Sequence, residues 1–185
     1  MKAQALLTLT LAGSVTLNVA LAHKLRRFNH VFSPTSIDSL QTGITVPAFE
    51  AIDLEGRTQM ITYNRVSKPT VLYVFTPSCS WCARNMDNFK TLIDKESSEY
   101  RFIGISLADQ GLADYVRKNE LNLPIYSGLS AETLKAYRLG STPQTIVISP
   151  EGKVLQDWAG AYVGDQRTQI EAFFRAKLPG IKGTS

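Results

Sequence analysis

The chain has two cysteines, and they stand two residues apart: Cys79 and Cys82 in FTPSCSWCAR, residues 75–84. Two sulfurs so placed can staple a loop, supply half of a metal site, or open and close as a redox pair. A disulfide across so short a loop removes little freedom from the unfolded chain, roughly 2 kcal/mol. A domain of this length can bury a core without that help. Structural zinc needs four ligands, and catalytic zinc three plus a water. There is no second Cys-x-x-Cys, and the only histidines, His23 and His30, lie in the N-terminal segment far from Cys79. No metal site is expected. The same lack of histidine leaves no base for a Cys–His hydrolase. The redox reading accounts best for the placement, and it calls for no cofactor.

The surrounding elements suit that reading. PTVLYVFT, Pro69 to Thr76, is a short apolar run rich in β-branched and aromatic residues, which predicts a strand buried on both faces of a mainly parallel sheet. A helix is predicted to start at the cysteines. Cys82, Met86, Phe89 and Ile93 recur at i, i+4, i+7 and i+11 and share one apolar face. Cys82 then turns toward the core while Cys79 stands in the exposed first turn, where unpaired N–H groups and the helix dipole favour a thiolate and lower its pKa. One reachable, nucleophilic sulfur with a shielded partner is what disulfide exchange requires.

The rest of the chain supplies a framework. AFEAIDLEGRTQMITY reads as a hairpin turning at Asp53–Gly56, RFIGISLA as a second buried strand, and Leu112–Glu120 as a helix. Ser130 can cap a helix over Ala131–Leu139. QTIVISPEGKVLQDWAG reads as an antiparallel pair turning at Pro150–Gly152. Asp165 is placed to cap a last helix carrying Ile170, Phe173, Phe174 and Leu178 on one face, before Pro179-Gly180 stops it. Strands alternating with helices predict an α/β domain with helices on both sheet faces. A net charge of +4 without a basic stripe interleaved with aromatics gives no reason to expect nucleic acid as a partner.

The N-terminus differs in kind. Ala3 to Ala22 carries no charge, long enough at about 1.5 Å per residue to cross a bilayer core. A membrane anchor is the favoured reading. A signal peptide cleaved after Ala22 is the alternative, since Ala20-Leu21-Ala22 has the small-x-small pattern. The basic flank Lys24, Arg26 and Arg27 outweighs Lys2 and by itself would hold the following domain in the cytoplasm. The expected organisation is an anchor or signal segment over 1–28, a Ser/Thr-rich tether over 29–43, the domain over 44–180 and a tail over 181–185.

Strand, Cys-Ser-Trp-Cys and helix, followed some 60 residues later by GSTPQTIVISPEGKV, resemble a thioredoxin-fold protein. With the N-terminal hairpin and tether, residues 44 to 178 resemble the TlpA/ResA-like, AhpC-TSA-related (redoxin) branch of bacterial thiol–disulfide oxidoreductases. The resemblance implies a thioredoxin-like fold, a central mixed sheet with helices on both faces, preceded by one N-terminal hydrophobic helix. It implies that Pro143 is cis, that the backbone of Thr142 pairs with an extended substrate segment, and that Trp81 forms part of the apolar surface around the sulfurs or packs on the domain. It implies Cys79 as nucleophile and Cys82 as resolving residue. The partners it implies are protein thiols and disulfides, apocytochrome c or another exported protein among them, and an upstream membrane thiol donor. It also places the domain on the extracytoplasmic, periplasmic side, against the basic flank. Two positions depart from the pattern. Asn85 stands where many members have an acid three residues after the second cysteine, and Tyr73 where thioredoxins bury an aspartate six residues before the first. Asp87 is expected to face solvent.

Two other readings stay open. "AFEAIDLEG" and "TPSC" also resemble peroxiredoxins, in which a threonine three residues before the reactive cysteine orients the peroxide. Thr76 and Cys79 match that spacing, although Leu72 replaces the expected proline and Cys82 is unusually close for a resolving partner. The third reading is a tethered binding module without turnover. The direction of electron flow is also left open.

Overall fold

The structure, a computed structural model, describes residues 39–65 and 67–181. The anchor or signal segment predicted over 1–28 lies outside the described residues, as do residues 29–38 of the tether and 182–185 of the tail. Among the described residues no helix is long and apolar enough to cross a membrane.

Among the described residues seven strands form one sheet: β1 Phe49–Asp53, β2 Thr58–Ile61, β3 Thr70–Phe75, β4 Arg101–Ser106, β5 Ile125–Ser127, β6 Gln144–Ile148 and β7 Val154–Ala159. Their spatial order is β2-β1-β5-β4-β3-β6-β7. β3 runs parallel to β4 and antiparallel to β6, and β4 runs parallel to β5. The sheet is therefore mixed, as expected of this fold. Every residue of β3 is buried, because neighbouring strands flank it and packed layers cover both its faces. A continuous apolar run is the sequence form of that position.

Among the described residues four helices accompany the sheet: α1 Ser80–Glu96, α2 Leu112–Lys118, α3 Ala131–Ala136 and α4 Gly164–Phe174. The alternation of side chains along the strands divides the core in two. On one face Val71, Tyr73, Phe75, Val147 and Trp158 pack against residues of α1, α2 and α4, including Cys82, Phe89, Tyr115, Ile170 and Phe174. On the other, Leu72, Val74, Ile103, Ile105 and Ile146 pack with Phe49, Ala51 and Tyr137, the residue that ends α3.

The β1–β2 turn falls where Asp53–Gly56 predicts it. The Asp53 carboxylate accepts from the backbone N–H groups of Glu55 and Arg57 at 3.1 and 2.8 Å, and Gly56 takes the left-handed φ of 80° that closes the turn. Ser130 caps α3 as expected, its hydroxyl accepting from Thr133 N–H.

Elsewhere the structure differs from the sequence reading. β5 has no counterpart in it: three residues beside Pro124 give too short a pattern, and its pairing with β1 and β4 creates the strand. α2 stops at Lys118, and α3 at Ala136, three residues early. α4 begins behind Val163, not behind a side-chain cap from Asp165, and ends where Arg175 adopts a left-handed φ of 53°. Leu178 is buried beyond the helix end.

The packed chain also extends past both predicted edges. Leu40, within the segment read as tether, is buried and donates its N–H to the Asp157 carboxylate, while Arg138 donates to the Ser39 carbonyl at 3.0 Å. Ile181 is buried too.

Candidate redox site

β3 delivers the chain to the site and α1 carries it away. After Phe75 the segment Thr76-Pro77-Ser78 turns tightly, with Cys79 N–H donating to the Thr76 carbonyl at 3.1 Å. Cys79 is the N-cap of α1: its backbone is extended (φ −74°, ψ 111°), its carbonyl accepts the first helical bond from Ala83, and its sulfur accepts from Cys82 N–H at 3.0 Å. The sulfur thus takes the place of the oxygen that a serine or aspartate cap would offer. No acidic residue stands in the first turn of α1 to oppose negative charge there.

Cys79 and Cys82 are joined in a disulfide, with Cα atoms 5.2 Å apart. Their surroundings differ as the periodicity predicts. Cys79 is half-buried and Cys82 is 0% exposed, on the helix face that also buries Met86, Phe89 and Leu92. Ile93, placed on that face by its spacing, is partly buried and packs against the same core, beside the fully buried Leu92.

Opposite the sulfurs lies the β6 entrance. The Thr142–Pro143 bond is cis, the Thr142 carbonyl oxygen sits 3.5 Å from Cys79 Sγ, and the Pro143 carbonyl accepts from Gly160 N–H at 2.7 Å. The fold therefore gathers Cys79, Cys82, Thr142 and Pro143 from positions some 60 residues apart. Trp81 stands beside them, 43% exposed, with the Arg84 guanidinium 4.4 Å from its ring centroid, within reach of a cation–π contact. Thr76 touches Cys79 through its backbone carbonyl.

Beneath Cys82 lies a polar cluster that the sequence reading did not assemble. Asn85, one helical turn on and 0% exposed, donates through Nδ2 to the Tyr73 hydroxyl at 3.3 Å. Its Oδ1 accepts from the backbone N–H of Tyr162 at 3.0 Å and from Asn88 Nδ2 at 3.1 Å. Asn88 Oδ1 accepts in turn from Gly180 N–H at 2.7 Å. The Tyr162 hydroxyl bonds Thr145 Oγ1 at 2.8 Å, and Thr145 is the β6 partner of Tyr73. The two positions that depart from the family pattern, Tyr73 and Asn85, are thus bonded to each other. Every side chain in the cluster is neutral. Burial holds the Tyr73 and Tyr162 phenols well above their ordinary pKa and pushes Tyr115, on α2, up to about 12. The sequence does carry a signal for part of this: Asn85 and Asn88 are polar residues on an otherwise apolar helical stripe. Tyr162 offers none.

The family model described as AhpC/TSA matches residues 42–156. The thiol–disulfide oxidoreductase ResA of Geobacillus thermodenitrificans (strain NG80-2) is 28% identical over 123 residues, covering 65% of this chain and 70% of ResA. Among solved structures, the thioredoxin domain of a thiol–disulfide oxidoreductase from Bacteroides vulgatus aligns with a TM-score of 0.58 and 22% identity, over 74% of this chain and 99% of that one. The peroxidoxin BcpB of Mycobacterium tuberculosis aligns with a TM-score of 0.60 and 19% identity, over 74% and 97%. At those identities the structural likenesses show the fold, which serves both kinds of chemistry.

Proposed function

Because the chain belongs to the AhpC/TSA family, we propose that its Cys79–Cys82 pair exchanges electrons with the disulfides and thiols of other proteins. The observation that carries this reading is the bridge itself, with one sulfur reachable at the mouth of α1 and the other sealed one turn below it. In the reduced protein the N–H of Cys82 and the dipole of α1 stabilise a Cys79 thiolate. That thiolate attacks one sulfur of a partner disulfide, and the partner's other sulfur leaves with the electron pair. Cys82 then loses its proton and attacks Cys79 Sγ, so the Cys79–Cys82 bond forms as the mixed disulfide breaks. The partner has gained two electrons and the protein has lost two. A thiol donor returns them.

The site accommodates an extended protein segment, with the Thr142 backbone beside the sulfur and Trp81 as apolar surface. Apocytochrome c or another exported protein is the partner class we favour, and a membrane thiol protein the donor. We place the domain outside the cytoplasm, tethered by the uncharged segment Ala3–Ala22 as an uncleaved anchor. A reporter fused after Ser185 and active on one side of the membrane only tests that placement.

Trapping tests the chemistry. Cys82→Ser should accumulate mixed disulfides with protein partners through Cys79, released by dithiothreitol. Rapid consumption of hydroperoxide with Cys79 as sulfenic acid would assign a peroxidase instead. Neither adduct nor peroxide consumption would leave a binding module.

A further inference from the structure

Resolution of a mixed disulfide requires Cys82 to lose a proton, and Cys82 has no exposed surface. Burial in apolar surroundings disfavours a thiolate, so the groups around it decide how the proton leaves. The core cluster that buries it also holds Tyr73 and Phe75 of β3, Met86 and Phe89 of α1, Tyr115 of α2 and Tyr162 of the β7–α4 connection, and Asn85, one turn on in α1, bonds Tyr73 and Tyr162. The titratable members of this set are phenols, all raised by burial. Arg84 and Asp87 lie on the exposed side of α1. Asp157 is partly buried, but it pairs with Ile146, whose side chain belongs to the opposite face of the sheet, and directly paired residues share a face.

Resting on the exchange reading above, we propose that Asn85 is a positioning residue for the resolving thiol. It fixes the depth of Cys82 through a wholly neutral network, so that Cys82 ionises to water at the Cys79 opening and hands its proton to no buried base. Two features support the assignment. Asn85 and Cys82 stand at i and i+3, neighbours on one helix face. The three partners of Asn85 also tie α1 to β3 and to the β7–α4 connection, so its side chain sets the seat of the helix turn that carries Cys82. The same three partners would serve a carboxylate without rearrangement. Oδ1 already accepts two N–H bonds, and the Tyr73 hydroxyl can turn to donate to the second oxygen. A single-atom exchange at residue 85 would therefore put a base beneath the thiol.

The reduced full chain in detergent, mixed with 5,5′-dithiobis(2-nitrobenzoate), releases one thionitrobenzoate when Cys79 attacks and a second when Cys82 resolves. The second release in the wild type should accelerate tenfold per pH unit from pH 6 to 9, as expected when Cys82 ionisation alone limits it. Asn85→Asp should make that release at least tenfold faster at pH 7 and flatten its pH dependence above the titration of the new carboxylate, as general-base assistance does. Asn85→Gln, neutral but longer, should keep the wild-type slope at a lower rate. A wild-type plateau below pH 9 would overturn the proposal, as would a folded Asn85→Asp protein that follows the wild-type line. If Asn85→Asp does not fold, Tyr73→Phe decides: a second release less than tenfold slower than the wild type at every pH supports the proposal, and one at least tenfold slower at every pH assigns the base to the phenol and overturns it. Failure of the first release in the wild type would instead count against the exchange reading itself, and with it this proposal.

Discussion

Asn85 fills three valences that the fold brings together from α1, β3 and the segment before α4. Each partner would be left unpaired in the interior by its loss, and a buried polar group without a partner costs about 1–3 kcal/mol. Asn85→Ala should therefore lower stability in urea by about 2–4 kcal/mol, within the range reached when a buried hydrogen-bond network is broken. Asp157 is a second residue whose environment makes a checkable statement. It accepts from Leu40 N–H and from Gln144 Nε2 at 3.0 and 3.1 Å, yet burial raises its pKa, outweighing those bonds. A carboxyl whose folded pKa exceeds its unfolded value binds its proton more tightly in the native state. The stabilisation is present below the unfolded value and lost as pH rises through the folded one. The stability of the wild type relative to Asp157→Asn should thus fall as pH climbs from about 4 and level off once Asp157 is ionised. Paired urea titrations across pH 3.5 to 7 measure that difference. An invariant difference would contradict the assigned shift.

At the scale of elements, α1 is held by an aromatic seat. Phe89 stacks on Tyr73 with ring centroids 3.8 Å apart and meets Phe102 edge-on at 6.2 Å. Phe89→Ala should cost about 3–5 kcal/mol, as large-to-small changes of buried aromatics do, and should also raise the alkylation rate of Cys82 in the reduced protein as the helix loosens. Calorimetry and timed labelling read the two effects. Elements whose signal is local are legible in the amino-acid sequence: the buried run of β3, the hairpin turn at Asp53–Gly56, the Ser130 cap, and the helical spacing that turns Cys82 inward. β5 is not, because three residues gain strand geometry only from their neighbours β1 and β4. The docking of Leu40 is not either, since one apolar residue in a Ser/Thr-rich stretch carries no period, and its partner Asp157 lies 117 residues away.

For the whole molecule, the sheet acts as the frame that sets two cysteines at the end of β3 against a turn entering β6. That convergence can be anticipated from the order of Cys-Ser-Trp-Cys and Thr-Pro along the chain, because the resemblance supplies the topology joining them. The network below the site escapes such a reading because it links residues 12 and 77 positions apart through hydrogen bonds that no spacing rule encodes. Function at this scale depends on a difference in access: one sulfur meets partners at the surface while its mate is shut in the core. Iodoacetamide applied to the reduced protein at neutral pH, with the modified residue located by mass spectrometry, measures that difference directly. The account predicts carboxamidomethyl-Cys79 with Cys82 unmodified at early times. Modification of Cys82 first, or of both at equal rates, would contradict it.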